Sequence, residues 1–292
     1  MSAFAVKIIA LVSMLIDHTG CTLASMNKLS ASQYSVMRSL GRIAFPLYAF
    51  LIVNGFEKTG NRAKYLTRLC IFAALSQLPY NLAPIRANAA QLTERYFFAF
   101  RTDAAYLVLL ALLLTALAVS AVRKRHSALF AAVSAAYIAA GISVSVNGIT
   151  LFSRELNVFY TLACSLSALC AADMLANRAV RRRDAAAAAV LSALVCAVVL
   201  ADSDYGYWGL LLIAALYFFR ADRALQAVSV VIWGLCLYLP LTGTKVYMLL
   251  FTALSVIPML MYNGQSGRKT KAFYWVYPVH LFLLGMIYRL VQ

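Results

Sequence analysis

The sequence predicts an all-α polytopic transmembrane helical bundle with about 10–11 transmembrane helices. Three observations predict it. Of 292 residues, 63% are hydrophobic and only 12% charged, against roughly 25% charged in a soluble domain. The mean hydropathy is +0.80. Apolar runs, most of roughly 17 to 22 residues, recur from end to end, about the length that crosses a hydrocarbon core of roughly 30 Å at about 1.5 Å per residue.

In chain order the runs fall at 4–25, 36–56, 65–83, 104–122, 127–147, 157–176, 185–201, 207–220, 224–240, 245–262 and 272–290. The chain's start, 1–10, carries Lys7 inside the apolar stretch, and Asp17-His18 follow beyond. That is the wrong pattern for a cleaved signal peptide, so it is read as the first span. The second contains Pro46, read as a kink, and leads through Asn54-Gly55 into a basic loop. The polar connection 83–103 is too short for an independently folded unit of about 50 residues. The chain is therefore expected to form a single integral membrane domain over 1–292. The alanine-rich stretch 184–200 reads as a packing helix, because small side chains let helices approach closely.

The 26 Lys and Arg against 10 Asp and Glu concentrate in short loops between the apolar runs. This is the positive-inside pattern rather than a nucleic-acid surface. If the 57–64 loop is cytoplasmic, strict alternation puts Arg123-Lys124-Arg125, the 178–183 run, the 220–223 turn and the 268–271 run on that same side. The expected topology has a cytoplasmic N-terminus. His126 simply extends one basic run. The cysteines Cys21, Cys70, Cys164, Cys170, Cys196 and Cys236 include no C-x-x-C pair, so they are read as small hydrophobes, with neither disulfides nor metal expected.

Ionisable side chains inside apolar helices are costly and mark function. Lys7 and His18 are eleven residues apart, about 1100° of rotation, so they share one face with an axial separation of about 16 Å. A buried histidine serves as a general base, a proton relay or a structural hydrogen-bonding group. Asp17 points away from that face and is expected to orient a neighbouring helix. A second concentration, Lys58, Arg62, Lys64 and Arg68, is either ordinary anchoring or a phosphate site. The last run reads YWVYPVH, with Tyr277 and a second intramembrane imidazole, His280. Asn157 and Asp204 suit an external rim, or equally a helix cap and a turn.

The strings KIIALVSMLIDHTG, GRIAFPLYAFLIVNGF, NRAKYLTRL, NVFYTL, DYGYWG, MYNG and FYWVYPVHL, in this order over nearly the whole chain, resemble the TraX family, named for F pilin acetylase. TraX proteins in turn resemble the acyltransferase-3 superfamily, whose first helix carries a basic residue, ten intervening residues and a histidine, the spacing of Lys7 and His18. FLIVNGF is similar to that superfamily's FF-x-x-SGF motif, with Asn54 where Ser is usual. The resemblance implies acetyl transfer from cytoplasmic acetyl-CoA to a protein amine or glycan hydroxyl. His18, with Asp17 and His280, would form the catalytic set. Lys7, Lys58, Arg62, Lys64 and Arg68 would hold the donor, and Arg42, Asn54, Asn157, Asp204 and Tyr277 the acceptor. The rival reading is a proton-coupled transporter of an anionic small molecule, relaying protons through Asp17, His18 and His280.

Overall fold

A computed structural model describes residues 1–85, 96–124, 126–147, 149–177, 180–268 and 272–291. Arg125, Arg178, Lys269 and Lys271, part of the expected basic loops, lie outside the described residues. The elements are α1 (Ala3–Ser25), α2 (Ala31–Gly41), α3 (Ala44–Lys58), α4 (Arg62–Leu82), β1 (Tyr96–Phe100), α5 (Ala104–Val122), α6 (Ser127–Ala140), β2 (Ile142–Val146), β3 (Ile149–Phe152), α7 (Val158–Ala176), α8 (Arg182–Val199), α9 (Gly206–Phe218), α10 (Arg223–Tyr238), α11 (Thr244–Leu254), α12 (Val256–Leu260) and α13 (Ala272–Val291).

The architecture is α-helical, and every apolar run expected from the sequence contains helix. Among the described residues, five helices are long and apolar enough to cross a membrane: Ala3–Ser25, Ala31–Lys58, Ala104–Val122, Val158–Ala176 and Ala272–Val291. Ser127–Ala140, Gly206–Phe218, Arg223–Tyr238 and Thr244–Leu260 are shorter apolar helices.

Helix starts follow capping chemistry. Ser30 and Gln33 form a reciprocal capping box on α2, and the side chains of Asp103, Asn157 and Asp222 accept backbone N–H groups at the starts of α5, α7 and α10. Arg101 Nε donates to Asp103 at 2.5 Å and holds that carboxyl below the usual carboxylate range.

Two runs depart from a regular helix. The span Ala31–Lys58 breaks one turn ahead of Pro46: α2 ends at Gly41, and α3 begins at Ala44. Pro46 therefore sits in a first turn, where a missing N–H costs nothing. The run 127–147 is helical only to Ala140, and Ile142–Val146 is a strand. Isoleucine and valine alternate with serine there, ahead of Asn147-Gly148, which is hairpin chemistry rather than helix chemistry.

The chain folds as two compact units. The first comprises Met1–Gly55, Leu82–Ala90 and Leu211–Gln292. In it α1 packs on α2 and α13, α11 packs on α2, and α10 packs on α11 and α12. Close helix approach depends on glycine: a Cβ on Gly20 would lie 2.8 Å from Met37 Cβ, and one on Gly41 would overlap the Asp17 side chain. Phe4 meets Phe273 near the starts of α1 and α13, and His18 meets His280 further along, so the two helices run parallel.

The second unit comprises Phe56–Asn81 and Gln91–Leu210. Here α7 packs on the alanine-rich α8, as small residues allow, with Ser167 and Ser192 hydroxyls 2.9 Å apart. Helices α5 and α6 join through Tyr106 and Tyr137, whose rings stack at 4.5 Å while each hydroxyl donates to the other's carbonyl. The antiparallel sheet has order β1-β2-β3, with Tyr96 opposite Val146 and Val146 opposite Ile149.

Candidate active site

The site lies in the first unit, where α1 presents two faces. Ser13, Asp17 and Gly20, at helical spacing, face α2. The Ser13 hydroxyl donates to the Leu40 carbonyl at 2.6 Å. The Asp17 carboxylate accepts from Arg38 Nη1 through both oxygens at 2.8 Å and from Arg42 Nη2 at 2.8 Å. Arg38 Nη1 also lies 3.2 Å from Cys21 Sγ. A carboxylate 9% exposed needs such partners to remain charged in a helical interface. Asp17 thus orients α2, as its direction on the helix requires, and Arg42 sits on that carboxylate.

Phe4, Lys7 and His18 face α13 instead. Lys7 Nζ stands 5.7 Å from the centre of the Phe273 ring, within cation–π range. His18 Nδ1 is 2.7 Å from His280 Nε2, with the ring centres 5.0 Å apart and 9° between planes, so the two imidazoles meet edge to edge. The other nitrogen of His280, Nδ1, is 2.7 Å from the Val276 carbonyl. Buried Tyr277 packs edge-on against both rings, at 6.1 Å from His18 and 5.7 Å from His280.

These contacts fix the tautomers. A carbonyl only accepts, so His280 Nδ1 carries the proton and donates to Val276. Neutral His280 then has a lone pair on Nε2, so His18 must donate from Nδ1. In neutral His18 the remaining nitrogen, Nε2, holds a lone pair. Among the described residues Nε2 has no hydrogen-bond partner. The arrangement is chemically a base backed by a second imidazole, itself anchored to the backbone.

The remaining expected site residues fall into two groups. In the first unit, the Asn54 amide donates to Phe50 O at 2.8 Å within its own helix. In the second, Lys58 ends α3 exposed, Arg68 Nε donates to Lys64 O at 3.2 Å, and Arg62 forms an ion pair with Asp173 while stacking 4.3 Å over the Phe56 ring. Asn157 is fully buried, and its amide donates to Ala73 O and Gln77 Oε1, both at 2.8 Å, besides capping α7. The Asp204 N–H donates to Leu156 O at 2.9 Å, and its carbonyl accepts from the Thr161 hydroxyl. Capping and turn formation account for what Asn157 and Asp204 do in the fold.

Sequence reasoning missed Arg38 and the Val276 carbonyl. Arg38 carried a signal: with Arg42 it makes a basic pair four residues apart beside an apolar run that includes both. The Val276 carbonyl carried none, because every residue has one.

Comparison with known proteins gives the chain its family. The family model described as TraX protein matches residues 2–154 and 149–288. "Probable fimbrial assembly protein FimC, serogroup H1" of Dichelobacter nodosus is 36% identical over 80 residues, which are 27% of this chain and 32% of that protein. The match thus spans about a third of the length of that curated relative. No solved structure matches the chain. Helical, multi-pass and matched by the family model nearly end to end, the chain belongs to the TraX protein family.

Proposed function

We propose that the protein is a membrane-embedded acetyltransferase, which moves the acetyl group of acetyl-CoA to the amino terminus of a fimbrial subunit. The observation that carries this reading is the His18–His280 pair, 2.7 Å apart in apolar helices, with the His18 Nε2 lone pair left as the base. His18 Nε2 takes a proton from the acceptor amine as that nitrogen attacks the thioester carbonyl carbon. A C–N bond forms, the C–S bond breaks, and the coenzyme A sulfur leaves with the proton returned from His18. While His18 is protonated, its Nδ1–H bond to His280 spreads the charge over two imidazoles anchored at Val276. Asp17, Arg38 and Arg42 act through position, fixing α1 against α2. Tyr277 walls the pair.

Family membership and the name of the Dichelobacter nodosus relative, a fimbrial assembly protein, support a fimbrial acceptor. The Lys7-to-His18 spacing, similar to that of acyltransferase-3 enzymes, supports a thioester donor. The reading places the protein in a bacterial cytoplasmic membrane with its N-terminus inside and its donor drawn from the cytoplasm. Lys7, in the unit that holds the histidine pair, is its phosphate-binding candidate.

The test supplies purified protein in lipid nanodiscs with acetyl-CoA and two acceptors, a fimbrial-subunit amino-terminal peptide and a surface glycan, and reads acetylated product by mass. Acetylated peptide is expected. Acetylated glycan alone would move the acceptor to a hydroxyl, and no product from either would remove the transferase reading.

A further inference from the structure

Between the N-terminal parts of α1 and α13 lies a cavity of about 230 Å³, lined by Phe4, Arg268, Ala272, Phe273 and Val276. Its walls are apolar except for one guanidinium, and the Lys7 ammonium stands 5.7 Å from the centre of the Phe273 ring that lines it. The cavity and the imidazole pair are linked through Val276. Val276 lines the cavity and its carbonyl holds His280, so Ala272, Val276 and His280 follow one another a helical turn apart on α13. From Phe273 to His280 is seven residues along α13, about 10 Å, and from Phe4 to His18 fourteen along α1, about 21 Å. A ligand occupying both places must be slender, apolar in its middle and anionic at its outer end. Sites that bury a whole drug-sized ligand usually run from about 300 to 1,000 Å³, so this cavity holds part of a larger molecule rather than a complete nucleotide.

We propose that this cavity between α1 and α13 seats the phosphopantetheine arm of the acyl donor, with Arg268 and Lys7 on its phosphate and Phe4, Phe273 and Val276 along its chain. The proposal rests on the transferase reading and gives it a donor path within one compact unit of the protein. The arm enters where α1 and α13 begin, runs along Val276 and presents the thioester at the histidine pair. An arginine and a lysine on an apolar wall suit a phosphate joined to an uncharged chain, because the cations attract the phosphate while the walls accept the rest.

The test is equilibrium binding of acetyl-CoA to the purified full-length protein in micelles. It compares wild type with Arg268→Ala, which removes the cation from a loop; Ala272→Trp, which fills the cavity; and Lys245→Ala, a control at the start of α11. Arg268→Ala and Ala272→Trp are each expected to raise Kd about tenfold or more, and Lys245→Ala to leave it unchanged. Melting temperatures distinguish a filled cavity from a damaged fold, and Arg268→Ala decides alone if Ala272→Trp unfolds. Wild-type affinity in the folded variants would overturn the cavity assignment while leaving the transferase reading intact. Absence of acetyl-CoA binding in the wild type would overturn the transferase reading itself. Displacement of acetyl-CoA by phosphatidylglycerol but not by free coenzyme A would make the cavity a lipid site and overturn the assignment.

Discussion

Asp17 fits against Gly41 so closely that a methyl group on Gly41 would occupy the space of the Asp17 carboxylate. The absence of a side chain at one position of α2 therefore sets where the buried acid of α1 sits, and with it the neighbouring turn that carries His18. Gly41→Ala is expected to lower stability by about 1–3 kcal/mol, the usual range for overpacking a tight interface. Thermal unfolding in micelles checks this, and an unchanged midpoint would show that the interface yields easily.

The two arginines on Asp17 predict a paired response. Asp17→Asn leaves two mostly buried guanidiniums without their shared carboxylate and should cost about 3 kcal/mol or more. Combining it with Arg38→Gln should recover part of that loss, because the uncompensated charge is removed along with the acid. A double-variant cycle on unfolding midpoints measures the coupling. Simple additivity would mean that the ion pair contributes nothing of its own.

For Asn157 the structure predicts a stability effect. Its amide is fully buried and bonded to Ala73 and Gln77, and it caps α7. Asn157→Ala should lower stability by about 1–3 kcal/mol through orphaned partners and the lost cap. Thermal unfolding reads this directly, and acetyl-CoA affinity in the folded fraction should stay at the wild-type value.

Much of this arrangement was legible in the sequence, for geometric reasons. Eleven residues at 100° each put Lys7 and His18 on one face and turned Asp17 to another, and both consequences appear in the contacts with α13 and α2. Helical periodicity does not say which distant helix receives a face. His18 and His280 are 262 positions apart, and only packing brings them within 2.7 Å. Hydropathy also hides boundaries. Averaging over 36–56 conceals the break at Arg42-Ile43, and with it the first-turn position of Pro46. Over 127–147 it conceals the alternation Ile142, Val144, Val146 that forms β2, since a buried helix and an apolar strand score alike.

His280 is expected to affect the rate of transfer without affecting donor binding. His280→Ala removes the acceptor for His18 Nδ1–H and frees the His18 tautomer. It should reduce kcat about 100-fold with KM for acetyl-CoA unchanged. His280→Gln, which can place an amide oxygen near the same nitrogen, should recover part of the rate. A merely structural histidine would instead show equal losses in both variants, matched by lost thermal stability.

That His18 is the base and not a donor-binding group is tested by following acetyl-CoA binding and acetyl transfer side by side in wild type and His18→Ala. His18→Ala is expected to bind acetyl-CoA within about threefold of wild type and to transfer acetyl at least about 100-fold more slowly. Transfer at the wild-type rate by His18→Ala would contradict it.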